Sequence, residues 1–584
     1  MRNVYLCALF ASVLGLSTAQ AQAPAWTGAV QPTNPTPTND TGAVGRGLAI
    51  DASGNQYLAG VLQNGAGSGV TATRVFGSTT LTSGGGYSSG FVAKLSPAQQ
   101  WLWALKATSN GESVYFEQAA VSPAGDTYAV GLASDDPLMK PNGGTVVTVG
   151  SFTYTTTKDF ASFVTRLNAS GQPQWLAGVS GTQVLGVGWD AAAGNLVVAG
   201  EYVGTVTLGN TTLPAAPIGG MFVARLSAAG QWLSAVGVTI TGTTSASRFV
   251  ISRAAVSPQG QVALAFRFRN GSVALGSNVL TSTSTTQSKN VVAQLNANNQ
   301  WAWATETTGP GTTSVAYASN GLQYDRAGNV WLAGEGFGTG IQLGSTTVNQ
   351  DEFVARLSPT GQWGAVGTIG HSGSTNASNT EALGIDGQGN AVMVGNLPSA
   401  ITYTFGTRSL ANPTAGRKFT ARFNPTTLSW DYAQLAPAPT STDGSYTFYA
   451  VALDAAGTLV ATGDLRGNIT FGSTTLSNPG ANGSNAFVAR LANAGLPLGV
   501  RQAAGVAPLA VYPNPAAAGA SVTLRLPVPA PTAQPLVLRD ALGRVARQVS
   551  IPAGRQEVLV PTAGLTPGLY LLEAGLSRTQ LVVE

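Results

Sequence analysis

The chain has 584 residues, which is too long for one compact domain, so several domains or an array of repeats are expected. Only 9% of the residues are charged, 43% are hydrophobic and 74 are glycine, a composition that favours β-structure and excludes a wholly disordered chain. The formal net charge is +4 and the basic residues are scattered singly, which argues against nucleic-acid binding.

Residues 1–21 are predicted to be a secretory signal peptide. Arg2 supplies the positive charge, Val4–Leu16 is apolar, and Ala19–Ala21 has small residues at both positions that cleavage requires. The only cysteine, Cys7, lies in this leader, so the mature chain is expected to have no disulfide. The leader is too short to span a membrane, and no later apolar run is long enough for a transmembrane helix.

A five-residue phrase, here called the pentad, recurs seven times at intervals of 59 to 72 residues. Its apolar and basic residues alternate with a period of two, which predicts a β-strand whose basic side chain lies on the neighbouring sheet with its charged end in solvent. A Trp follows six of the pentads after 10 to 12 residues and is predicted to fill space between sheets, with a sugar-stacking platform as the alternative. The pentads begin at Phe91, Phe163, Phe222, Val291, Phe353, Phe419 and Phe487.

Each unit also has a turn phrase before its pentad. In the first unit, Asp51 and Gly54 are predicted to form a hairpin turn between two strands, because Asp binds its own backbone and Gly accepts positive φ. Six of the seven units have a further Gly six residues later, and all seven have a Gly in a short phrase such as Phe76–Leu81, which suggests bulges or close backbone approach. A unit therefore contains four strands.

Seven units of four strands predict an all-β fold, a seven-bladed β-propeller over residues 44–504, with an open solenoid as the alternative. The ordered phrases resemble the β-propeller repeats of secreted bacterial proteins. The fourth unit departs most, with Val291 in place of Phe and Gln294 in place of the basic residue. The seventh unit lacks its Trp, and Trp26–Val30, within the linker segment 22–43, resembles the missing strand. We expect that segment to pair with Phe487–Leu491 and to close the ring.

Residues 505–584 are predicted to form a small C-terminal β-sandwich, because short β runs there alternate with turns. Their motifs, in order and at the chain terminus, resemble the C-terminal sorting domain of the type IX secretion system. That resemblance implies the secretion machinery as a partner, export across a Gram-negative outer membrane, and removal of the tail. A terminal carbohydrate-binding sandwich is the alternative. The motif residues are Tyr512, Pro513, Asn514, Pro515, Asp540, Gly543, Gly568 and Tyr570.

No residue is predicted to be catalytic, to bind a cofactor or to bind a metal. The single His, His371, lies in a Gly/Ser segment, and no His/Cys cluster suggests zinc. Asp135–Asp136 and Asp351–Glu352 are adjacent carboxylates, but the sequence places no second carboxylate across a pocket from either pair. The Asp turns are also shorter than calcium-binding loops.

The sequence therefore predicts a secreted or outer-surface protein of a Gram-negative bacterium that acts as a non-enzymatic propeller scaffold. Its expected role is extracellular binding or adhesion, with a glycan or a protein as ligand. The alternatives are a secreted polysaccharide-acting enzyme, which would be a glycoside hydrolase or lyase, and a structural component of the cell envelope.

Overall fold

The computed structural model is all-β, and no helix occurs among the residues that it describes. It describes residues 24–36, 41–65, 70–84, 86–134, 144–242, 247–307, 314–337, 340–349, 352–371, 379–442, 444–478, 483–495, 509–526, 528–530, 532–540, 544–574 and 577–584, with the backbone alone at 248, 251, 252, 314–320, 337, 379, 577 and 578. The predicted signal peptide and Asp135, Asp136, Asp351 and Gly543 lie outside these residues. The chain forms two compact units, Ala21–Pro497 and Leu498–Glu584.

The larger compact unit contains seven successive groups of antiparallel strands, called repeat units 1 to 7. The N-terminal strand is β1 (Ala25–Val30). Repeat units 1 to 3 comprise β2 (Gly42–Ile50), β3 (Gln56–Gln63), β4 (Thr73–Phe76), β5 (Thr79–Thr82), β6 (Ser88–Leu95) and β7 (Trp101–Ser109); β8 (Ser113–Val121), β9 (Thr127–Ser134), β10 (Val146–Val149), β11 (Phe152–Thr155), β12 (Phe160–Leu167) and β13 (Pro173–Ser180); β14 (Thr182–Asp190), β15 (Asn195–Gly204), β16 (Thr207–Leu208), β17 (Thr211–Thr212), β18 (Ala216–Ser227) and β19 (Trp232–Thr241).

Repeat units 4 to 7 follow the same order of long and short strands. They comprise β20 (Arg248–Val256), β21 (Val262–Arg269), β22 (Gly271–Leu275), β23 (Asn278–Ser282), β24 (Lys289–Leu295) and β25 (Trp301–Glu306); β26 (Ser314–Tyr324), β27 (Val330–Phe337), β28 (Ile341–Leu343), β29 (Thr346–Val348), β30 (Glu352–Leu357) and β31 (Trp363–His371); β32 (Asn379–Ile385), β33 (Ala391–Leu397), β34 (Thr402–Phe405), β35 (Arg408–Ala411), β36 (Arg417–Asn424) and β37 (Ser429–Leu435); β38 (Ser445–Leu453), β39 (Leu459–Phe471), β40 (Thr474–Asn478) and β41 (Asn485–Ala492).

In repeat units 1 to 6 the four long strands pair in sequence order, and a short hairpin separates the second long strand from the third. In unit 7 the second strand, β39, continues into the hairpin with β40, and three long strands, β38, β39 and β41, pair in sequence order. The pentads form the third strands and the Trp residues begin most of the fourth strands. The short phrase Phe76–Leu81 was not predicted as a hairpin, but it is one: β4 and β5 pair around Gly77, whose φ is +59°. A Cβ on Gly77 would lie 3.1 Å from the carbonyl oxygen of Trp101, so the turn needs glycine for both conformation and space.

The seven repeat units form a closed cycle, here called the ring. The first strand of each unit contacts the first strand of the next, and β38 of unit 7 contacts β2 of unit 1. Seven clusters of buried apolar residues lie between successive units in the described part of the chain, including one that joins Val488 of unit 7 to Leu58 of unit 1. Each sheet therefore buries both faces against its neighbours, which gives a propeller-like arrangement.

The fourth strand of unit 7 comes from the N-terminal end of the chain. β1 pairs antiparallel with β41, with Trp26 opposite Leu491 and Val30 opposite Val488. The Trp26 ring packs 5.0 Å from Phe471, the same hairpin contact that Trp101 makes with Phe76 at 5.0 Å. Trp26 and Trp101 therefore fill space between a hairpin and its own sheet, whereas the prediction placed these rings between adjacent sheets. Trp175 does contact the next unit, where its Nε1 donates to the Ala228 carbonyl at 2.9 Å.

The pairing register between the first and second strands shifts at an equivalent place in every repeat unit, by a β-bulge in six units and by a longer irregularity between Tyr317 and Leu322 in unit 5. The second strand has a Gly opposite the residue before the bulge in six units, as Gly463 is opposite Phe448. A Cβ on Gly463 would lie 1.7 Å from the carbonyl oxygen of Thr447, so the backbone of unit 7 leaves no room for a side chain there. The pentad Phe487 is the partner of Gly463 on the other side and covers it. The six glycines are Gly60, Gly131, Gly200, Gly334, Gly395 and Gly463.

Unit 4 has the same bulge but exchanges the two side chains across the strand pair. Phe266 stands at the glycine position of β21, and Val291 of β24 is its partner. Both side chains are fully buried, and the Phe266 ring lies 5.5 Å from Phe249. The missing Gly and the missing pentad Phe of the fourth unit are therefore one compensated exchange, in which the aromatic side chain enters the same layer from the neighbouring strand. The third departure, Gln294 in place of the basic residue, is separate from this exchange.

The smaller compact unit contains two antiparallel sheets around one apolar cluster. One sheet has the order β42–β43–β46 and the other the order β45–β44–β47–β48. Leu524 and Leu538, one from each sheet, both belong to the shared buried cluster. The strands are β42 (Ala510–Tyr512), β43 (Ser521–Arg525), β44 (Gln534–Arg539), β45 (Val545–Ile551), β46 (Glu557–Pro561), β47 (Gly568–Ala574) and β48 (Ser577–Val583).

Candidate functional site

The turns between the first and second strands are held by their own carboxylates. Asp51 Oδ1 accepts hydrogen bonds from the backbone N–H groups of Ser53 and Asn55, both at 2.9 Å. Its Oδ2 accepts from Asn55 Nδ2 at 2.8 Å and from the Tyr57 hydroxyl at 3.0 Å. Burial acts to raise the pKa of Asp51, but these hydrogen bonds outweigh it and the pKa is lowered. Asp51 is therefore a turn-stabilising group, as its spacing predicts.

The same arrangement recurs in the units that meet Asp51 at the ring axis. Asp325 accepts from two backbone N–H groups of its turn and from Trp331 Nε1 at 3.1 Å. Asp386 accepts from its own turn and from Arg422, through Nε at 3.0 Å and Nη2 at 2.8 Å. Each carboxylate uses both oxygens in the scaffold, so neither is available as a general acid, a general base or a metal ligand.

In four repeat units the basic residue of the pentad joins its own turn to the next repeat unit. Arg490 of unit 7 pairs with Asp454 of unit 7 at 3.2 Å and donates to the Pro97 carbonyl of unit 1 at 3.0 Å. The expectation that these charged ends stay in solvent is wrong for Arg225 and Arg422, whose side chains are 6% and 7% exposed. The reason is that each of these arginines lies, with its turn carboxylate and its carbonyl acceptor in the next unit, inside the contact between two repeat units. Equivalent bridges join Arg166 to Asp126 and Ala228, and Arg422 to Asp386 and Gly495.

A ring of apolar side chains surrounds the axis at the end where these turns lie. Each repeat unit contributes one, from the end of its first strand, and all seven are half-buried. They line two cavities of about 300 and 640 Å³, which share Ile50, Asp51 and Ala52. The seven residues, here called the axial wall, are Ile50, Val121, Trp189, Val256, Tyr324, Ile385 and Leu453.

Few polar groups in these cavities are free to meet a ligand. The Tyr324 hydroxyl is buried without a hydrogen-bond partner in the described part of the chain, and burial raises its pKa. Arg326 lines the smaller cavity and is exposed, and no residue among those described pairs with it. Lys94 lines the larger cavity, but its Nζ is held 5.0 Å above the Tyr57 ring.

A second group of charged side chains lies at the bulges of the first strands, before these strands reach the turns. Arg46 of unit 1 pairs with Glu117 of unit 2 at 2.9 Å and lies 4.6 Å above the Tyr115 ring. Glu381 of unit 6 pairs with Lys418 and accepts the N–H of Phe448 in unit 7 at 3.0 Å. Burial raises the pKa of Glu381 although Lys418 acts to lower it. These residues link neighbouring units, and periodicity alone gives no signal for them, because a bulge shifts the strand pattern by one residue.

The structure places a second carboxylate beside Glu352, which the sequence could not do. Glu335 on β27 is the cross-strand partner of Glu352 on β30. Glu352 is 1% exposed, and one carboxylate oxygen accepts from the backbone N–H of Thr380 at 2.9 Å and from its hydroxyl. Burial raises the pKa of Glu352 well above its usual value, and Glu335 adds to the effect. The pKa of Glu335 is raised by burial and lowered in part by His371.

Glu352→Gln is expected to remove a loss of stability that the wild type suffers as the pH rises. The raised folded-state pKa means that the unfolded chain loses this proton first, so stability is full below about pH 4.5 and falls above it, by ~1.4 kcal/mol per unit of pKa elevation. The amide oxygen of Gln can still accept both Thr380 hydrogen bonds. Urea unfolding at pH 4.5 and pH 8 tests this, with Glu112→Gln, before β8, as the control. Parallel pH profiles for wild type and Glu352→Gln would refute it.

In the smaller compact unit, the first motif residues contact the last strand. Asn514 Nδ2 donates to the Gln580 carbonyl at 2.8 Å, and Asn514 Oδ1 accepts the N–H of Val582 at 2.9 Å. The backbone beyond Pro515 continues this contact, with Ala516 N–H donating to the Val582 carbonyl at 2.8 Å. Asn514 therefore joins the Tyr512-to-Pro515 motif to the C-terminal strand by two hydrogen bonds.

The other motif residues have local roles. Asp540 pairs with Arg544 at 2.8 Å, and its N–H donates to the Arg544 carbonyl at 2.9 Å, while Gly543 is outside the described residues. Gly568 begins β47, and Tyr570 is buried with its hydroxyl donating to the Thr566 carbonyl at 2.7 Å. The structure thus brings the first motif to the last strand and leaves the Asp540 turn as a separate feature.

No family model and no curated protein matches the chain. A fungal alcohol oxidase of the AA5 family, in complex with copper, is 13% identical over 96% of this chain and 100% of its own, with a TM-score of 0.31. A luciferin-regenerating enzyme is 12% identical over 80% and 95%, with a TM-score of 0.27. The C-terminal WD40 domain of Sif2 is 8% identical over 80% and 98%, with a TM-score of 0.30. These scores are low, so the architecture rests on the strand pairings and contacts above.

No group of three or more His, Cys, Asp or Glu side chains lies close enough to hold a metal ion within the described ranges. Nor does that part of the chain contain a helix long and apolar enough to cross a bilayer.

Proposed function

We propose that this chain is a secreted or cell-surface binding scaffold without enzymatic activity, built as a seven-bladed β-propeller followed by a β-sandwich sorting domain. The observation that carries this proposal is the hydrogen bonding of the turn carboxylates at the ring axis. Asp51, Asp325, Asp386 and Asp454 all hydrogen-bond within the scaffold, and the axial wall between them is apolar. A wall of this kind suits binding better than acid–base chemistry.

The proposed export route is the type IX secretion system of a Gram-negative bacterium, with residues 505–584 as the sorting domain. The hydrogen bonds between Asn514 and β48 support this route, because they join the first motif residues to the strand at the chain terminus. On this proposal the tail is removed during export, and the mature ring is released or held on the outer surface to bind a glycan or a protein.

The second candidate is a polysaccharide-acting enzyme on the same ring. The neighbouring carboxyls of Glu335 and Glu352 favour it, because a pair of carboxyls is typical of glycosidases and burial raises the pKa of both. Against it, Glu352 is buried and its oxygen is engaged by Thr380. A structural role in the envelope is the third candidate.

The test combines a binding screen with an activity assay on the purified ring. We expect binding to a glycan array or to intact cell surfaces, and no release of reducing ends or unsaturated sugars from the same polysaccharides. Mass measurement of the protein from the culture medium and from the cell surface should show the loss of residue 1–21 and of the C-terminal tail. Turnover that is lost in Glu335→Gln would favour the enzyme, and an intact C-terminus in secreted protein would reject the sorting role.

A further inference from the structure

We propose that the larger of the two axial cavities binds one ring of a neutral, glucose-type glycan, stacked on Trp189 and hydrogen-bonded to Lys94. This inference rests on the proposed function, since it names the ligand class of the binding scaffold and the place where that ligand lies. Repeat units 1 to 4 each contribute residues to the lining, so the site requires these four units to be assembled. The volume, about 640 Å³, is within the range of roughly 300–1,000 Å³ found for small-molecule sites.

The charges that line the two cavities are different. The smaller cavity is lined by four carboxylates and only one guanidinium, that of Arg326. The larger cavity is lined by one carboxylate, that of Asp51, and one ammonium, that of Lys94. Because the lining of the larger cavity has no net charge, an ionised ligand would leave water there without a balancing charge. The larger cavity therefore favours a neutral ligand.

Trp189 supplies the apolar surface on which a sugar ring can stack. It is the only tryptophan of the axial wall, and it is half-buried. The Tyr128 ring stacks on it with 5.0 Å between ring centroids and an interplanar angle of 22°, so the indole is held in a fixed orientation. The surface of the indole that Tyr128 does not cover lines the cavity, together with Val121 and Val256. An aromatic ring fixed in this way can bind the C–H face of a sugar with little loss of conformational entropy.

Lys94 is the cation of the cavity, and it has no ion-pair partner among the described residues. In four other repeat units the basic residue of the pentad pairs with the carboxylate of its own turn, as Arg490 does with Asp454. In unit 1 the Tyr57 hydroxyl donates to that carboxylate, Asp51, at 3.0 Å. Lys94 is 9% exposed, and its Nζ lies 5.0 Å from the centre of the Tyr57 ring without a hydrogen-bond acceptor in the described structure. A ligand oxygen that reaches this ammonium therefore gains a charge-assisted hydrogen bond.

Two further polar groups suit a ligand with several hydroxyls. Ser53 and Asn55 line the cavity, the Ser53 hydroxyl is exposed, and Asn55 Oδ1 has no donor among the described residues. These groups and Lys94 come from unit 1, whereas Trp189 comes from unit 3. A glucose ring matches this division, because its hydroxyls project from its edge and C–H groups cover its faces. The site thus combines an apolar surface with a few placed polar groups, as small-molecule sites generally do.

The test is isothermal titration of the full-length protein with cellotetraose, a neutral chain of β-linked glucose rings. Sorbitol, the open-chain hexitol of glucose, is the comparison probe at an equal concentration of hexose units, since it offers similar hydroxyls without a ring face. We expect cellotetraose to bind and sorbitol to give no saturable heat. No saturable binding of cellotetraose, or equal binding of the two probes, would overturn the proposal.

Two variants locate the site. Trp189→Leu keeps an apolar side chain but removes the aromatic face, so it should weaken cellotetraose binding at least about fivefold. Lys94→Met keeps an unbranched side chain but removes its N–H groups, so it should weaken binding about three- to tenfold. Arg326→Met makes the same kind of change in the lining of the smaller cavity alone, and as the matched control it should leave the affinity unchanged.

Urea unfolding of each variant checks that the ring is folded, and Lys94→Met decides the test if Trp189→Leu does not fold. Wild-type affinity in either folded variant would place the sugar elsewhere and reject this site.

The outcomes separate this sugar site from the proposed function. If the ring binds a glycan or a cell surface equally well as wild type and as Trp189→Leu, the scaffold role stands and only this site is wrong. If the ring cleaves cellotetraose, the scaffold role fails. Titration of the same variants with thio-linked cellotetraose, which resists cleavage, then still decides whether the sugar lies on Trp189.

Discussion

Replacing Arg74 with methionine is expected to lower the free energy of unfolding of the ring by about 3 kcal/mol, because several buried acceptors lose their donor. Arg74 on β4 is fully buried, and no carboxylate among the described residues pairs with it. Its guanidinium donates to Asn485 Oδ1 at 2.9 Å, to the Ser484 carbonyl at 2.9 Å and to the Thr41 carbonyl at 3.0 Å. These bonds join the hairpin of unit 1 to the third strand of unit 7.

Two effects oppose each other at this site, and the magnitudes decide between them. Burial lowers the pKa of Arg74 to about 10, so the variant gains by removing a desolvated charge. Each buried acceptor left unpaired costs ~1–3 kcal/mol, and at least three are affected. Urea unfolding of the ring measures the difference. Arg267→Met, at an exposed position of β21, is the control and should change stability by less than about 0.5 kcal/mol. Equal midpoints for wild type and Arg74→Met would show that the charge costs as much as its bonds contribute.

Moving the aromatic ring of unit 4 back to the pentad is expected to restore most of what either single change removes. Phe266→Gly alone should destabilise the ring by about 3–5 kcal/mol, because it empties a fully buried site between β20 and β24. Val291→Phe alone should also destabilise, by about 1–3 kcal/mol, because Phe266 already fills the layer. The double variant has the Gly–Phe pair of the other six units, so its loss should be well below the sum.

The measurement is a double-mutant cycle from urea midpoints of the four proteins. We expect a coupling energy of at least about 2 kcal/mol in favour of the double variant. Gly84→Ala is a control for glycine change, since its Cβ would have its nearest contact at 3.6 Å. Additive losses would mean that the position of the aromatic side chain in unit 4 depends on residues outside this strand pair.

The strands and turns of a repeat unit could be predicted because their causes are local. Alternation in the pentad, the Asp and Gly of the turn, and a recurring Trp each reflect contacts within one sheet or with its own hairpin. The pairing of Trp26–Val30 with Phe487–Leu491 was also predictable, because the N-terminal segment repeats a phrase that the seventh unit lacks. The hairpins were missed, since strands of two to five residues leave almost no periodic signal.

The candidate site could be predicted only in part. The Asp turns were recognised, but the axial wall was not, because a single apolar residue at the end of each first strand looks like any core position. Arg74 and the pair Glu335–Glu352 depend on contacts between distant segments or on strand register, which one sequence does not specify. The buried arginine bridges were misjudged for the same reason, since their second partner lies in the next unit.

β1 pairs with β41, which is the last strand of the larger compact unit. During synthesis β1 therefore has no partner until almost the whole of that unit has been made. A nascent chain of six units exposes the unpaired strand β1 and one uncovered apolar sheet face on each terminal unit, and such surfaces join chains into aggregates. The long separation between the two strands also makes closure a late and slow event. We therefore expect chains that stop before Asn485 to be recovered as oligomers or as insoluble protein, even though most of their sheets are intact.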